Sequence, residues 1–213
     1  MVQVYVMDVT HLDDPMENPQ ILEGLDNSRK EKIMRCKQEN TRKQSLGAGL
    51  LLRHILECHG LSEREIHFGL HGKPEIKGIC FNLSHSSNMV VCAVSDKPVG
   101  CDVEKVREAP YKVADRFLNK NEKNYLEQYS GDEKNREFYR LWTMKESYVK
   151  MTGEGLSVAP NEIELRIDND IKVCRGGKTQ NCFLKEYGLQ GYFLTVCARE
   201  KAFSENLNIV MTK

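Results

Sequence analysis

The sequence has no excess of charge of either sign. Its 213 residues hold 31 Lys plus Arg and 31 Asp plus Glu, a formal net charge of zero. No long-range field therefore draws the chain toward nucleic acid or an anionic membrane, and any phosphate recognition has to come from local clusters. It also lacks an apolar run long enough to span a bilayer. The opening MVQVYVMDVT has neither a basic flank nor a long apolar stretch, so a secretory leader is not expected. The eight cysteines (Cys36, Cys58, Cys80, Cys92, Cys101, Cys174, Cys182 and Cys197) include no CxxC pair, which leaves a zinc cage without support. Cys92 in MVVCAV and Cys197 in LTVCA sit in apolar strand patterns, where a free Cys packs as a small hydrophobe. The expectation is a reduced, cytoplasmic, monomeric protein with no nucleic-acid or membrane partner.

What is present is an ordinary globular composition, 40% hydrophobic and 29% charged. The length admits one large domain or two small ones. Val2, Val4 and Val6 alternate as in a strand. Ser28-Arg-Lys-Glu31 has capping-box spacing and opens a basic helix. A longer helix carries Leu46, Leu50, Ile55 and Leu56, with Gly60 as its stop. Gly69, Gly72, Pro74 and Gly78 punctuate short strands from 66 to 82. Residues 89 to 94 form a continuous apolar run, the pattern of a strand buried on both faces. Asp96-Lys-Pro98 then turns the chain into a second strand, VGCDVEKV.

From 108 to 152 the pattern is mainly helical. The last and longest helix starts near Asp132, carries Phe138, Leu141, Trp142, Val149 and Thr152 along one side, and ends at Gly153 and Gly155. Strands follow: Ile163, Leu165 and Ile167 alternate, then come CFLKEY and GYFLTVCA, with Gly188 and Gly191 marking the turn. The class is α+β. Val91-Cys-Ala93 and Val196-Cys-Ala198 echo each other half a chain apart. Three residues establish no repeat, although a duplicated unit would produce them.

Three segments carry chemistry. In Gly100-Cys-Asp-Val-Glu104, strand alternation puts Val99, Cys101 and Val103 on one face and Asp102 and Glu104 on the other. The two acidic Cα atoms are then about 6.6 Å apart. Hard oxygen ligands so placed suit Mg²⁺, completed by phosphate oxygens of a substrate. Alone, such a pair is more often a solvent-facing strand edge. In Trp142-Thr-Met-Lys-Glu-Ser-Tyr-Val-Lys150, Glu146 and Lys150 share a helix face with Tyr139 and Thr143. Alone, they read as an exposed ion pair of little energetic weight. In Phe81-Asn-Leu-Ser-His-Ser86, Ser84 and His85, with Lys73 nearby, supply phosphate-binding groups. Ser84-His85 is not a nucleophilic dyad, because strand neighbours point apart and no nucleophile elbow surrounds them.

In order, GKP, FNLSHS, VGCDVEKV and LWTMKESYVKMTGEGLS resemble the signature of Sfp-type 4′-phosphopantetheinyl transferases, from about residue 72 to 157. The W-x-x-K-E-x-x-x-K motif, preceded by G-x-D-x-E about forty residues earlier, makes the resemblance specific. The N-terminal third matches more loosely, through its basic helix and Arg42…Ser45-Leu-Gly47. The resemblance implies a pseudo-twofold pair of α+β halves, expected at 1–105 and 106–213, with coenzyme A bound between them. It implies Mg²⁺ at Asp102, Glu104 and Glu146, and Lys150 on the phosphates. It places Lys73, Ser84 and His85 beside the 3′-phosphate and adenine, with Lys32, Arg42 and Lys43 as further basic candidates. Cys101 stands where the family more usually has Ile or Val, and it points away from the acidic face.

The activity so implied moves the phosphopantetheine arm of coenzyme A to a serine of an apo acyl or peptidyl carrier protein and releases 3′,5′-ADP. The serine proton goes to Glu104, to Glu146 or to water at the metal. Two other classes share these residues: a metal-dependent phosphohydrolase and a non-catalytic coenzyme A-binding module. The complete set of Asp102, Glu104, Glu146 and Lys150 argues against the module.

Overall fold

The computed structural model describes residues 1–167 and 170–211. β1 (Gln3–Asp8) opens the chain, and Val2, Val4 and Val6 bury one side of it as their alternation predicts. α1 (Asn27–Met34) and α2 (Glu39–Cys58) follow. The cap of α1 is Asp26, whose carboxylate accepts the Ser28 N–H at 2.9 Å; Ser28 itself, expected as the cap, lies inside the helix. An extended Asp satisfies the first free amides and adds negative charge at the positive end of the helix, so it outcompetes the serine.

The chain continues through β2 (His67–Phe68), β3 (Pro74–Glu75), β4 (Cys80–Ser86), β5 (Met89–Ser95) and β6 (Val99–Lys105). Then come α3 (Tyr111–Phe117), α4 (Lys120–Leu126) and α5 (Gly131–Thr152), the last closed by Gly153 at φ 73°. That left-handed value suits glycine, as the sequence pattern anticipates. β7 (Ile163–Ile167), β8 (Ile171–Arg175), β9 (Lys178–Thr179), β10 (Phe183–Leu189), β11 (Tyr192–Ala198) and β12 (Asn208–Ile209) complete the chain. Gly188, expected in a turn, pairs with Phe193 inside the β10–β11 ladder; Gly191 makes the turn.

Two sheets dominate, with strand orders β12-β1-β5-β4 and β10-β11-β6. Each is built from one strand, one long helix and one hairpin: β1, α2 and β4–β5, then β6, α5 and β10–β11. In both, the second hairpin strand sits between the first hairpin strand and the lone strand. The echo of Val91-Cys-Ala93 and Val196-Cys-Ala198 falls on these equivalent strands, β5 and β11. The architecture is the α+β pair of similar halves that the resemblance implies. The ladder of β6 is with β11, Asp102 opposite Thr195 and Glu104 opposite Phe193. A division after residue 105 would separate β6 from that partner.

The layers run α2, first sheet, second sheet, α5. Leu46, Leu51, Leu52 and Ile55 of α2 pack on Met7, Val90 and Cys92 of the first sheet. Val4, Val6, Val91 and Ala93 meet Val99, Cys101, Val103 and Val196 between the sheets. Phe138, Leu141 and Met144 of α5 fill the outer core of the second half. Burial of these side chains, roughly 1.5–3 kcal/mol each, drives the sandwich together.

Along one side, edge strands β4 and β6 meet without a backbone ladder. An edge strand presents unpaired amides that must find partners when buried. Alternate side chains of β4 supply them: Asn82 Oδ1 accepts Cys101 N–H at 2.9 Å, Ser84 Oγ accepts Val103 N–H at 3.3 Å, and Ser86 Oγ accepts Lys105 N–H at 3.2 Å.

The second half is tied by a buried ion pair. Lys145 is 0% exposed and Glu122 3%. The Lys145 ammonium lies 2.5 Å from Glu122 Oε2 and donates to the carbonyls of Phe117 and Pro160. Glu122 also accepts the Asn119 and Leu165 amides, so one carboxylate joins α4, α5 and β7. Removing one partner strands a buried charge. Glu122→Ala should therefore cost about 3–5 kcal/mol in urea unfolding, and Glu122→Leu combined with Lys145→Met should cost less than that single change. A double variant no more stable than Glu122→Ala would contradict this role.

Candidate active site

The site depends on how closely α5 lies on β6. A Cβ added at Gly100 would fall 2.2 Å from the Ser147 carbonyl oxygen and 2.3 Å from the Met151 nitrogen. Only glycine permits that approach, which explains the first residue of G-x-D-x-E. The contact brings the last turn of α5 over Asp102. Lys150 Nζ lies 2.6 Å from Asp102 Oδ1 and donates to Ser84 Oγ at 3.0 Å, while Ser84 donates to Asp102 Oδ1 at 2.9 Å. Asp102 is 4% exposed, and its Oδ2 is buried with no hydrogen-bond partner. Ser86 Oγ donates to Glu104 Oε2 at 2.7 Å. Beneath Asp102, the buried Thr143 and Thr195 hydroxyls bond to each other at 2.9 Å.

Burial pushes the Asp102 carboxyl up, partly offset by Lys150 and Ser84. Burial also raises Glu104 and Glu146, and in both the neighbouring carboxylates add to the rise. For Lys150, burial acts downward, but Asp102 and Glu146 outweigh it and keep the ammonium charged. Three carboxylates thus sit within electrostatic reach of one another with one lysine between them. Among the described residues, no three His, Cys, Asp or Glu side chains form a ready metal cage. Mg²⁺ needs none, since it is commonly held by one or two carboxylates plus substrate phosphates and water. A buried carboxylate oxygen without a partner, among oxygen-only donors, fits that cation. Cys101 faces away as expected; burial pushes its thiol up to about 12, so it stays neutral.

His85 projects from β4 on the side opposite Ser84. Desolvation, then the positive charges of Lys150 and Lys32, push its imidazole down. Lys150 and Lys32 are thus both within electrostatic reach of His85. Ser84 turns toward Asp102 and Lys150, away from His85, because adjacent strand residues face opposite ways.

Three expected phosphate ligands have partners within the chain. Arg42 donates to both carboxylate oxygens of buried Asp14 and to the carbonyls of Cys36 and Lys37. That arrangement braces the α1–α2 junction and leaves little for a ligand. Lys73 Nζ donates to the carbonyls of Val99 (3.1 Å), Lys150 (2.6 Å) and Met151 (3.3 Å), which uses all three ammonium donors. It caps the C-terminal end of α5, where carbonyls lack helical partners. Lys43 pairs with Glu39 at 2.7 Å. The sequence reading attached no role to Asn82 or Ser86; their signal was the period-two alternation of 82, 84 and 86.

Beside Glu146 and Lys150 opens a cleft of about 390 Å³, lined by His71, Gly72, Lys73 and Pro74 of the first half and by Val149, Val158, Ala159 and Pro160 of the second. It runs along the junction of the two halves.

The sequence profile of the 4′-phosphopantetheinyl transferase superfamily matches residues 98–197, which hold β6 and α5. The chain is 31% identical to the Bacillus subtilis 4′-phosphopantetheinyl transferase ffp, over 94% of this chain and 95% of that one. It is 30% identical to the 4′-phosphopantetheinyl transferase Sfp of Bacillus subtilis strain 168, with the same coverage of 94% and 95%. Among solved structures, a Bacillus anthracis holo-(acyl-carrier-protein) synthase in complex with coenzyme A (3′,5′-ADP) aligns at TM-score 0.42 and 19% identity, over 47% of this chain and 93% of that one, a likeness too loose to place residues. Identity near one third along almost the whole length of two such relatives settles the family: the chain belongs to the 4′-phosphopantetheinyl transferases.

Proposed function

We propose that the cleft between the halves seats the pyrophosphate of coenzyme A against Asp102, Glu104, Glu146 and Lys150. From there the chain, a transferase by family, delivers the phosphopantetheine arm to a serine hydroxyl of an apo acyl or peptidyl carrier protein and releases 3′,5′-ADP. The observation that carries this reading is the buried, partnerless Oδ2 of Asp102 among further carboxylates. Burying such groups costs stability unless a ligand compensates. Asp102, Glu104 and Glu146 would hold Mg²⁺, which when bound neutralises charge on the pyrophosphate oxygens.

The remaining roles belong to the chain itself. Lys150, charged and 28% exposed, stabilises negative charge collecting on the oxygen between the α- and β-phosphates. Glu104 or Glu146, each made more basic by its surroundings, takes the serine proton. Lys32 and His85 receive the 3′-phosphate, and the cleft walled by His71, Pro74 and Val149 receives the adenine. The eight cysteines are free thiols, in keeping with a cytoplasmic enzyme, which we read as a monomer. Among the described residues no helix is long and apolar enough to cross a membrane.

The direct test is incubation with coenzyme A, Mg²⁺ and an apo-carrier. The carrier should gain one phosphopantetheine by mass, and 3′,5′-ADP should form only when carrier is present. Release of 3′,5′-ADP without carrier would indicate hydrolysis, and full activity in EDTA would remove the metal from the account.

Glu146→Gln should separate stability from activity. Its folded-state pKa is raised, so its ionised form weakens the metal-free fold, and removing that charge stabilises it. The melting temperature in EDTA should rise by up to about 4 °C, the scale of 1 kcal/mol in a chain of this size. Turnover with Mg²⁺ should fall at least about a hundredfold. A lower melting temperature would contradict the electrostatic reading.

The phosphate ligands separate by assay. Lys150→Met should reduce turnover more than coenzyme A affinity, because its charge matters most in the transition state. Lys32→Ala with His85→Ala should shrink the preference for coenzyme A over dephospho-coenzyme A, each charge-assisted contact being worth about 1.5–3 kcal/mol. Arg42→Ala should leave that preference unchanged and instead lower stability. A preference lost in Arg42→Ala and kept in the double variant would move the 3′-phosphate site onto α2.

A further inference from the structure

Ser86 lies outside the substrate-binding set proposed above, yet it holds two partners at once. Its Oγ accepts the Lys105 N–H at 3.2 Å and donates to Glu104 Oε2 at 2.7 Å. The two contacts are coupled. A hydroxyl carries a single proton, so the oxygen that receives the backbone amide has its proton free for the carboxylate. The amide belongs to the residue next to Glu104 on β6, so hydroxyl and carboxylate are set against the same stretch of backbone. The neighbouring position repeats the device: Ser84 accepts Val103 N–H and donates to Asp102.

The need differs between the two acids. Asp102 has a short side chain and is held further by Lys150 at 2.6 Å. Glu104 has three side-chain torsions to fix, and its carboxylate end is held by Ser86. One carboxylate oxygen is thus occupied and the other is left for a ligand.

We propose that Ser86 is a positioning residue that aims Glu104 at the divalent cation. It rests on the metal reading given above, and it assigns Ser86 contact with neither substrate nor metal. Groups that orient a metal ligand through a hydrogen bond commonly change metal affinity by about 10- to 100-fold when removed.

The test uses Mn²⁺ as the probe, bound in the presence of coenzyme A and followed by the loss of its free-ion electron paramagnetic resonance signal. The native protein, Ser86→Ala, Ser86→Thr and Asp102→Ala are compared, each with its melting temperature. The native protein should bind Mn²⁺ and Asp102→Ala should not. Ser86→Ala should bind about tenfold more weakly or worse. Ser86→Thr keeps the hydroxyl and should return to within twofold of native, which a purely structural role of the small side chain does not predict. Ser86→Ala within twofold of native, or Ser86→Thr as weak as Ser86→Ala, overturns the positioning role and leaves the metal site standing. Native protein that binds no Mn²⁺ through Asp102 overturns both.

Discussion

Asp102 is the constraint around which the molecule is arranged. A carboxylate that is 4% exposed needs compensation close at hand, and Lys150 and Ser84 provide it on one oxygen only. Lys150 can reach because α5 rests on β6 at Gly100, where a side chain would collide with helix backbone. The approach is also held by Lys73, whose ammonium binds carbonyls of both β6 and the end of α5. Each of these contacts would be costly without the others. Together they leave Oδ2 of Asp102 buried and unanswered beside two further acids.

The duplicated architecture explains why such a site forms where it does. Two strand–helix–hairpin units pack sheet to sheet through Val91, Ala93, Cys101 and Val196. β6 is the edge strand of the second unit, and the first unit seals that edge with side chains of β4 in place of a backbone ladder. The seam therefore carries hydroxyls and an amide where a continuous sheet would carry only backbone. Ser84 and Ser86 use those hydroxyls twice, once for the edge and once for the acids. Fold closure and site assembly are the same set of contacts.

Local rules made the acidic strand legible: parity on a strand separates Asp102 and Glu104 from Val99, Cys101 and Val103, and a spacing of four joins Glu146 to Lys150. The order of the motifs then supplied the family. The partners that Lys73 and Arg42 hold in the fold are not legible in the sequence, because a cation serves a phosphate, a carboxylate or a carbonyl equally well. Their choice is made by partners 77 and 28 residues away in the chain, which no local pattern contains. Asp26 displaced Ser28 as a cap for a similar reason, two acceptable caps competing at one helix end. The three-residue echo of β5 and β11 became meaningful only once strand order showed both at equivalent positions.

If the buried acids await a cation that in turn binds pyrophosphate, Mg²⁺ and coenzyme A must help each other bind. Calorimetric titration of coenzyme A into native protein, with EDTA and then with saturating Mg²⁺, measures that coupling. The account predicts at least about fivefold tighter coenzyme A binding with Mg²⁺, and the same factor for Mg²⁺ when coenzyme A is present. Equal affinities in the two titrations would contradict it.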